Sequence, residues 1–173
     1  MSALIQACLV SLLPILAIVA ALQDLTSYTI PNWISLALVA GFGLLAATAG
    51  FSVIDLELHA VAGVTALLAG MVMFALGWIG GGDAKLLAAC CLWFGWPGGQ
   101  LFLLDTALAG GAFAFLLLVV RGQMVRPYLP VHSGWVGRLI TPGEPAPYGV
   151  AIALGALIAF PSTELLRFVH TSY

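Results

Sequence analysis

Two aspartates are the strongest candidates for catalytic residues, because each lies where an apolar segment meets an unusual turn. Asp24 lies in QDLTSYTIPNW (23–33), and Asp83 follows three glycines in GGGDAK (80–85). An ionisable group at the edge of a membrane bundle is costly unless it is paired or solvated. If the two helices pack together, like charge and partial burial favour one proton shared by both carboxyl groups near neutrality. Such a pair suits peptide hydrolysis: the ionised carboxylate takes a proton from the attacking water, and the protonated one hydrogen-bonds the scissile carbonyl.

The residues around the second acid allow two interpretations. Gly80, Gly81 and Gly82 permit positive φ and leave no side chain between the backbone and a bound polypeptide or a neighbouring helix. Asp is also a favoured N-cap, so Asp83 could simply cap the following helix, with Asp24 as an interfacial residue. Lys85 is two residues from Asp83 and does not face it on a helix; it either reaches the headgroups or steers a substrate.

Composition places these acids in a membrane protein. The chain of 173 residues is 62% hydrophobic and 7% charged, whereas about a quarter of the residues of soluble domains are charged. A helix needs about 20 apolar residues to cross a bilayer. We therefore predict an all-α fold, a bundle of six transmembrane helices in a single domain over 1–173. The predicted helices are 4–22, 33–50, 60–79, 84–96, 100–120 and 148–168.

The distribution of cations orients this bundle. The connections 23–32, 80–83 and 121–147 share one face, which receives every Lys and Arg except Arg167: Lys85, Arg121, Arg126 and Arg138. The positive-inside rule makes that face cytoplasmic and both termini external. The connection 51–59 is predicted as an interfacial stretch on the other side.

The fourth segment is shorter than the bilayer core. It reaches only to Pro97, and 84–96 gives about 20 Å of helix, against a hydrocarbon thickness of about 30 Å. Asp83 is therefore expected below the membrane surface, in a wet recess within reach of an embedded substrate.

Other chemistries are less well supported by the residues. Cys8, Cys90 and Cys91 fall inside apolar helices and no HExxH occurs, so neither a metal nor a cofactor is predicted. The net charge of −2 does not indicate nucleic acid. A proton-coupled transporter or channel is the main alternative, with Asp105 as its best acid. His132 beside Ser133 suggests a serine protease only weakly, because no third orienting acid is evident.

Several motifs together resemble a known family. Gly80-Gly81-Gly82-Asp83 matches the GxGD signature and is followed by Ala84-Lys85-Leu86-Leu87. Asp24 precedes Ile30-Pro31-Asn32, and Pro147-Tyr148-Gly149-Val150-Ala151 begins the sixth helix. With the helix order, these motifs resemble the type IV prepilin peptidases, most of all the short form that serves Flp-type, tight-adherence pili.

The resemblance implies an activity and a set of site residues. It implies an aspartic endopeptidase of the bacterial inner membrane that cleaves the basic leader of prepilins on the cytoplasmic side, just before their hydrophobic helix. Asp24 and Asp83 would be the catalytic pair, with the glycines, Lys85, Pro31 and Asn32 shaping the site. The chain has no CxxC motif and its first helix begins near residue 4, so N-methylation is not expected. Tyr28 and Thr29 stand where many members have basic residues, which bears on leader recognition.

Overall fold

The chain folds into α-helices. The computed structural model describes residues 2–122 and 134–163, and within these ranges every regular element is helical. A single 3-10 turn, Phe160–Ser162, follows the last helix. The helices are α1 (Ser2–Ser27), α2 (Asn32–Ala49), α3 (Val53–Ala75), α4 (Gly81–Phe94), α5 (Gly98–Arg121), α6 (Trp135–Leu139) and α7 (Tyr148–Ala159).

Four helices are long and apolar enough to cross a membrane. They are α1 from Leu4 onwards, α2, α3 and α5, and they identify an integral membrane protein. The prediction of six spans is therefore supported in part. The 14 residues of α4 give about 21 Å of helix, and α7 with the turn after it forms a shorter apolar segment, Tyr148–Ser162. The last five residues of the predicted span 148–168 lie outside the described residues.

The two short apolar helices occupy the centre of the bundle. α4 packs against α2, α3, α5 and α7, while α7 packs against α1 and α5. Ten of the 14 residues of α4 are buried, so this helix is covered by protein and not by lipid along most of its surface. Trp93 fixes its far end, because the indole is fully buried and its Nε1–H donates to the carbonyl oxygen of Leu38 on α2 at 2.9 Å.

Small residues let α3 approach this central helix. A Cβ on Gly63 would lie 3.1 Å from Cβ of Leu92, and a Cβ on Gly70 would lie 3.0 Å from Cβ of Ala84. Gly63, Gly70 and Gly77 recur every seven residues, and the first two of them form a packing face on α3. The third, Gly77, lies after the end of α3 and adopts a φ of 73°.

Two helix ends differ from the predicted ones for identifiable reasons. α1 continues to Ser27 instead of ending near residue 22, because Thr26 and Ser27 bond back to helix carbonyls: Thr26 Oγ1 donates to Leu22 and Ser27 Oγ to Gln23, at 2.7 and 2.6 Å. The predicted interfacial stretch 51–59 is instead largely the first part of α3. Ser52 and Asp55 form a capping box there, each bonding the backbone N–H of the other.

Candidate active site

Asp24 lies in the last turns of α1 and is 5% exposed. Its Oδ2 accepts a hydrogen bond of 2.7 Å from the backbone N–H of Gly149, the second residue of α7. Free N–H groups at a helix N-terminus, together with the helix dipole, favour a negative charge. The start of α7 therefore stabilises Asp24 in its ionised form and fixes the direction of its carboxyl group.

Asp83 is the third residue of α4 and is 7% exposed. It is not the N-cap, since Gly80 occupies that position; its Oδ2 accepts the Gly80 N–H at 2.9 Å, as the acid of a capping box does. The other oxygen, Oδ1, is buried and has no hydrogen-bond partner among the described residues. This carboxyl group thus keeps one oxygen available to a proton, a water or a substrate.

The fold brings the two acids to the same end of the bundle. Although α1 and α4 do not pack closely on each other, the carboxyl groups are near enough for the charge of Asp24 to act on Asp83. Ile30 packs between the helix starts beside the two acids, against Gly82 next to Asp83 and against Gly149 next to Asp24. A Cβ on Gly82 would lie 3.0 Å from Cβ of Ile30, and a Cβ on Gly149 would lie 2.9 Å from its Cδ1.

The three consecutive glycines, Gly80 to Gly82, do not use the positive φ that the sequence analysis considered for them. None of them has positive φ: Gly80 is extended at −75°, and Gly81 and Gly82 are the first residues of α4. Close approach accounts for two of them, because a Cβ at position 80 would lie 3.0 Å from Oδ2 of Asp83 and one at 82 would meet Ile30. The glycines therefore serve helix packing and the approach of Asp83 to the backbone.

The predicted site-shaping residues lie at the same end. Pro31 is the N-cap of α2, and Asn32 is its first helical residue. Lys85 Nζ donates to Asn32 Oδ1 at 2.9 Å, and both side chains are exposed. Lys85 thus joins α4 to α2 and points away from Asp83, consistent with their spacing on the helix.

The connection after α5 is fastened beside the acids. Arg121 donates to three carbonyl oxygens, those of Leu139 and Glu144 at 2.8 Å and that of Pro145 at 3.2 Å. Arg138 donates to the carbonyl oxygen of Thr26 at 3.1 Å, at the end of α1. Together these bonds attach the described part of this connection to the end of α5 and to the end of α1. The connection then continues directly into the start of α7.

Tyr28 forms the turn that follows Asp24. It adopts a φ of 56°, rare for a residue with a side chain, and the Arg138 guanidinium lies 5.1 Å from its ring centroid. Its hydroxyl is buried without a hydrogen-bond partner among the described residues. Burial raises the pKa of this phenol above its ordinary value, so Tyr28 remains neutral.

Other sequence candidates lie elsewhere. Asp105 is partly exposed on α5 and does not line the cavity that Asp83 lines. His132, Ser133, Arg126 and Arg167 lie outside the described residues. Within the described ranges, no group of three His, Cys, Asp or Glu residues could hold a metal ion.

The sequence reasoning missed three residues that shape the site: Gly149, Ile30 and Arg121. Gly149 and Ile30 belong to motifs that were noted only for the resemblance, PYGVA and IPN. The available signal for Gly149 was a glycine within the first turn of a helix, where backbone can approach another group closely. Arg121 was counted only as a cytoplasmic charge, and nothing in its spacing indicates the three carbonyl groups it binds.

Comparison with known proteins bears on the family of the chain. No curated protein and no solved structure matches the chain. The sequence does match the model of the type IV leader peptidase family over residues 11–115, a span that includes both Asp24 and Asp83 and more than half of the chain. The protein is therefore a helical membrane peptidase that belongs to the type IV leader peptidase family.

Proposed function

We propose that the chain is an aspartic endopeptidase that removes the leader of Flp-type prepilins, with Asp24 and Asp83 as its catalytic pair. The observation that carries the proposal is that two carboxyl groups, distant along the chain, are both buried at the same end of a membrane bundle of this family. The Flp-type substrate is supported by the GGGD and IPN motifs.

The roles of the two acids follow from their hydrogen bonds. Each acid accepts a peptide N–H at a helix N-terminus, Asp24 from Gly149 and Asp83 from Gly80, so the difference between them is the buried Oδ1 of Asp83, which has no hydrogen-bond partner among the described residues. Asp24 is therefore assigned as the base. Asp83 carries the shared proton on its unpartnered Oδ1. As water attacks, its proton passes to Asp24, its oxygen bonds the carbonyl carbon, and Asp83 hydrogen-bonds the carbonyl oxygen. Collapse of the intermediate breaks the carbon–nitrogen bond, and the leaving amine takes up a proton from the pair.

We further propose that this end of the bundle faces the bacterial cytoplasm. Lys85, Arg121 and Arg138 all lie at the end that holds Asp24 and Asp83, and an excess of cations marks the cytoplasmic side. Since α1 runs towards this end and α7 runs away from it, both ends of the described chain lie on the opposite side, which would be external. The prediction that the chain does not methylate the new N-terminus stays a prediction.

Co-expression with a prepilin tests the catalytic pair. We expect Asp24→Asn and Asp83→Asn each to abolish leader cleavage, because neither amide can take or deliver the proton, while both proteins still accumulate in the membrane. Asp105→Asn is the matched control, since it removes an acid from α5 outside the site and should cleave at the wild-type rate. An active Asp83→Asn enzyme would refute the assignment. Proton flux into liposomes that depends on Asp105, with no cleavage, would instead indicate a transporter.

A further inference from the structure

Asp83 lines an apolar cavity of about 410 Å³ between α3, α4, α5 and α7. Met73 and Leu87 contribute to its wall from α3 and α4, and Tyr148 contributes from the start of α7. Almost all of the lining is apolar, so the cavity suits a hydrocarbon side chain or a hydrophobic segment better than a polar ligand. A candidate catalytic carboxyl group therefore opens onto space that an apolar substrate can fill.

This cavity lies between two helices that do not pack closely against each other. α3 and α5 both pack on α4, but among the described residues they share few direct contacts. They approach at their far ends, where a Cβ on Gly99 would lie 3.7 Å from Cβ of Ala62. Nearer to Asp83 the cavity separates them, which gives a cleft that faces the surrounding lipid.

The α5 side of the cleft is built of small residues at helical spacing. Ala107, Gly110, Gly111 and Ala114 lie on one face and all line the cavity. Only part of this face is used within the chain: a Cβ on Gly110 would lie 3.4 Å from Cβ of Ala151, whereas a Cβ on Gly111 would meet nothing within 4 Å. In membranes, such faces allow the backbones of two helices to come close.

One polar atom at the cleft lacks a partner among the described residues. Asp83 Oδ1 is buried without a hydrogen bond, and Asp83 lines the cavity. An unsatisfied buried polar group costs free energy, so this oxygen is expected to bind something in the working state. A peptide N–H group can satisfy it, whereas a lipid acyl chain cannot.

We propose that the apolar helix of the substrate docks in this cleft, against the small-residue face of α5, and places its scissile peptide beside Asp83. The inference rests on the proposed function and adds where the substrate binds. A larger groove of about 520 Å³ lies on the opposite face of α4, between α2 and α3. Lys85 lines that groove but Asp83 does not, so a helix bound there would not lead into the candidate catalytic carboxyl group.

Substitution of Gly111 tests the docking site. A Cβ on Gly111 would meet nothing within 4 Å, so Gly111→Leu should extend into the open cleft and the enzyme should fold, while leader cleavage falls by about tenfold or more through steric exclusion of the substrate. Gly43→Leu is the matched control: Gly43 is an exposed glycine on α2 with nothing within 4 Å of a Cβ, outside both grooves. It should cleave at the wild-type rate.

Photocrosslinking decides the occupant even if Gly111→Leu fails to accumulate. With p-benzoylphenylalanine in place of Gly111, we expect a covalent adduct with the hydrophobic segment of a co-expressed prepilin, and none when it replaces Gly43. Wild-type cleavage by Gly111→Leu, or an adduct at position 111 with lipid only, would overturn the docking site while leaving the proposed function intact. If the wild-type enzyme cleaves no prepilin, the proposed function fails and the docking site fails with it.

Discussion

Replacement of Gly149 by alanine is expected to disable the candidate site without removing either acid. A Cβ at this position would lie 2.9 Å from Cβ and Oδ2 of Asp24 and 2.9 Å from Cδ1 of Ile30. Real Cβ atoms do not approach other atoms so closely, and two of these three contacts are with an acid whose backbone is fixed within α1. The first turn of α7 must therefore move away, which breaks the 2.7 Å bond from the Gly149 N–H to Asp24.

The size of the effect follows from that bond. A hydrogen bond to a charged group contributes about 1.5–3 kcal/mol, and about 1.4 kcal/mol corresponds to a tenfold change. If the bond holds Asp24 in its working position, the rate of leader cleavage should fall by about ten- to a hundred-fold. The overpacked contact should also lower the stability of the protein, by about 1–3 kcal/mol.

The assay is the initial rate of prepilin cleavage by purified enzyme in proteoliposomes, normalised to folded protein, with thermal unfolding measured in parallel. Gly43→Ala is the matched control, because its new Cβ meets nothing within 4 Å. Its cleavage rate should be unchanged, and its unfolding temperature should rise slightly, since alanine is favoured over glycine inside a helix such as α2. A folded Gly149→Ala enzyme that cleaves at the wild-type rate would refute the reasoning, since the contact between Asp24 and α7 would then play no part in catalysis.

Two further substitutions test how the site is held. Arg121→Gln removes a guanidinium that binds three carbonyl groups of the described residues, so we expect several-fold slower cleavage and faster limited proteolysis between residues 134 and 147. Arg138→Gln loses one such bond and a ring contact within the same described ranges and should have a smaller effect. Equal effects of the two substitutions would contradict the argument. Trp93→Phe leaves the Leu38 carbonyl oxygen without the indole donor and should lower the free energy of unfolding by about 1–3 kcal/mol. The cleavage rate per folded molecule should be unchanged. An unchanged unfolding temperature would show that this bond contributes nothing to stability.

Composition was sufficient to predict a helical membrane protein, but not how its segments cross the bilayer. Hydropathy identifies apolar segments and carries no information about which of them are covered by protein. α4 and α7 are apolar because they are buried among other helices, and they are too short to count as spans on length alone. The ends of α1 and α3 were misplaced because Thr26, Ser27, Ser52 and Asp55 are polar, yet each bonds to the backbone of its own helix end.

The candidate acids were identifiable from sequence, whereas their environment was not. Asp24 and Asp83 are rare charges beside unusual turns, and that signal is local. The partner of Asp24 is 125 residues away, and their contact exists only because α7 packs against α1. Gly80 likewise adopts the extended backbone of an N-cap and donates its N–H to Asp83. The freedom of glycine to adopt positive φ does not predict that role.

The hydrogen bonds that the described residues give to the two acids both come from peptide groups, those of Gly80 and Gly149. A catalytic acid held by neighbouring side chains can be retuned by exchanging one of those side chains. Here the donors are peptide N–H groups, which no substitution removes except one to proline. The pKa and the position of each acid can therefore be adjusted only by moving the helix start that carries its donor. Engineering of the working pH should therefore target the residues that set where α4 and α7 begin.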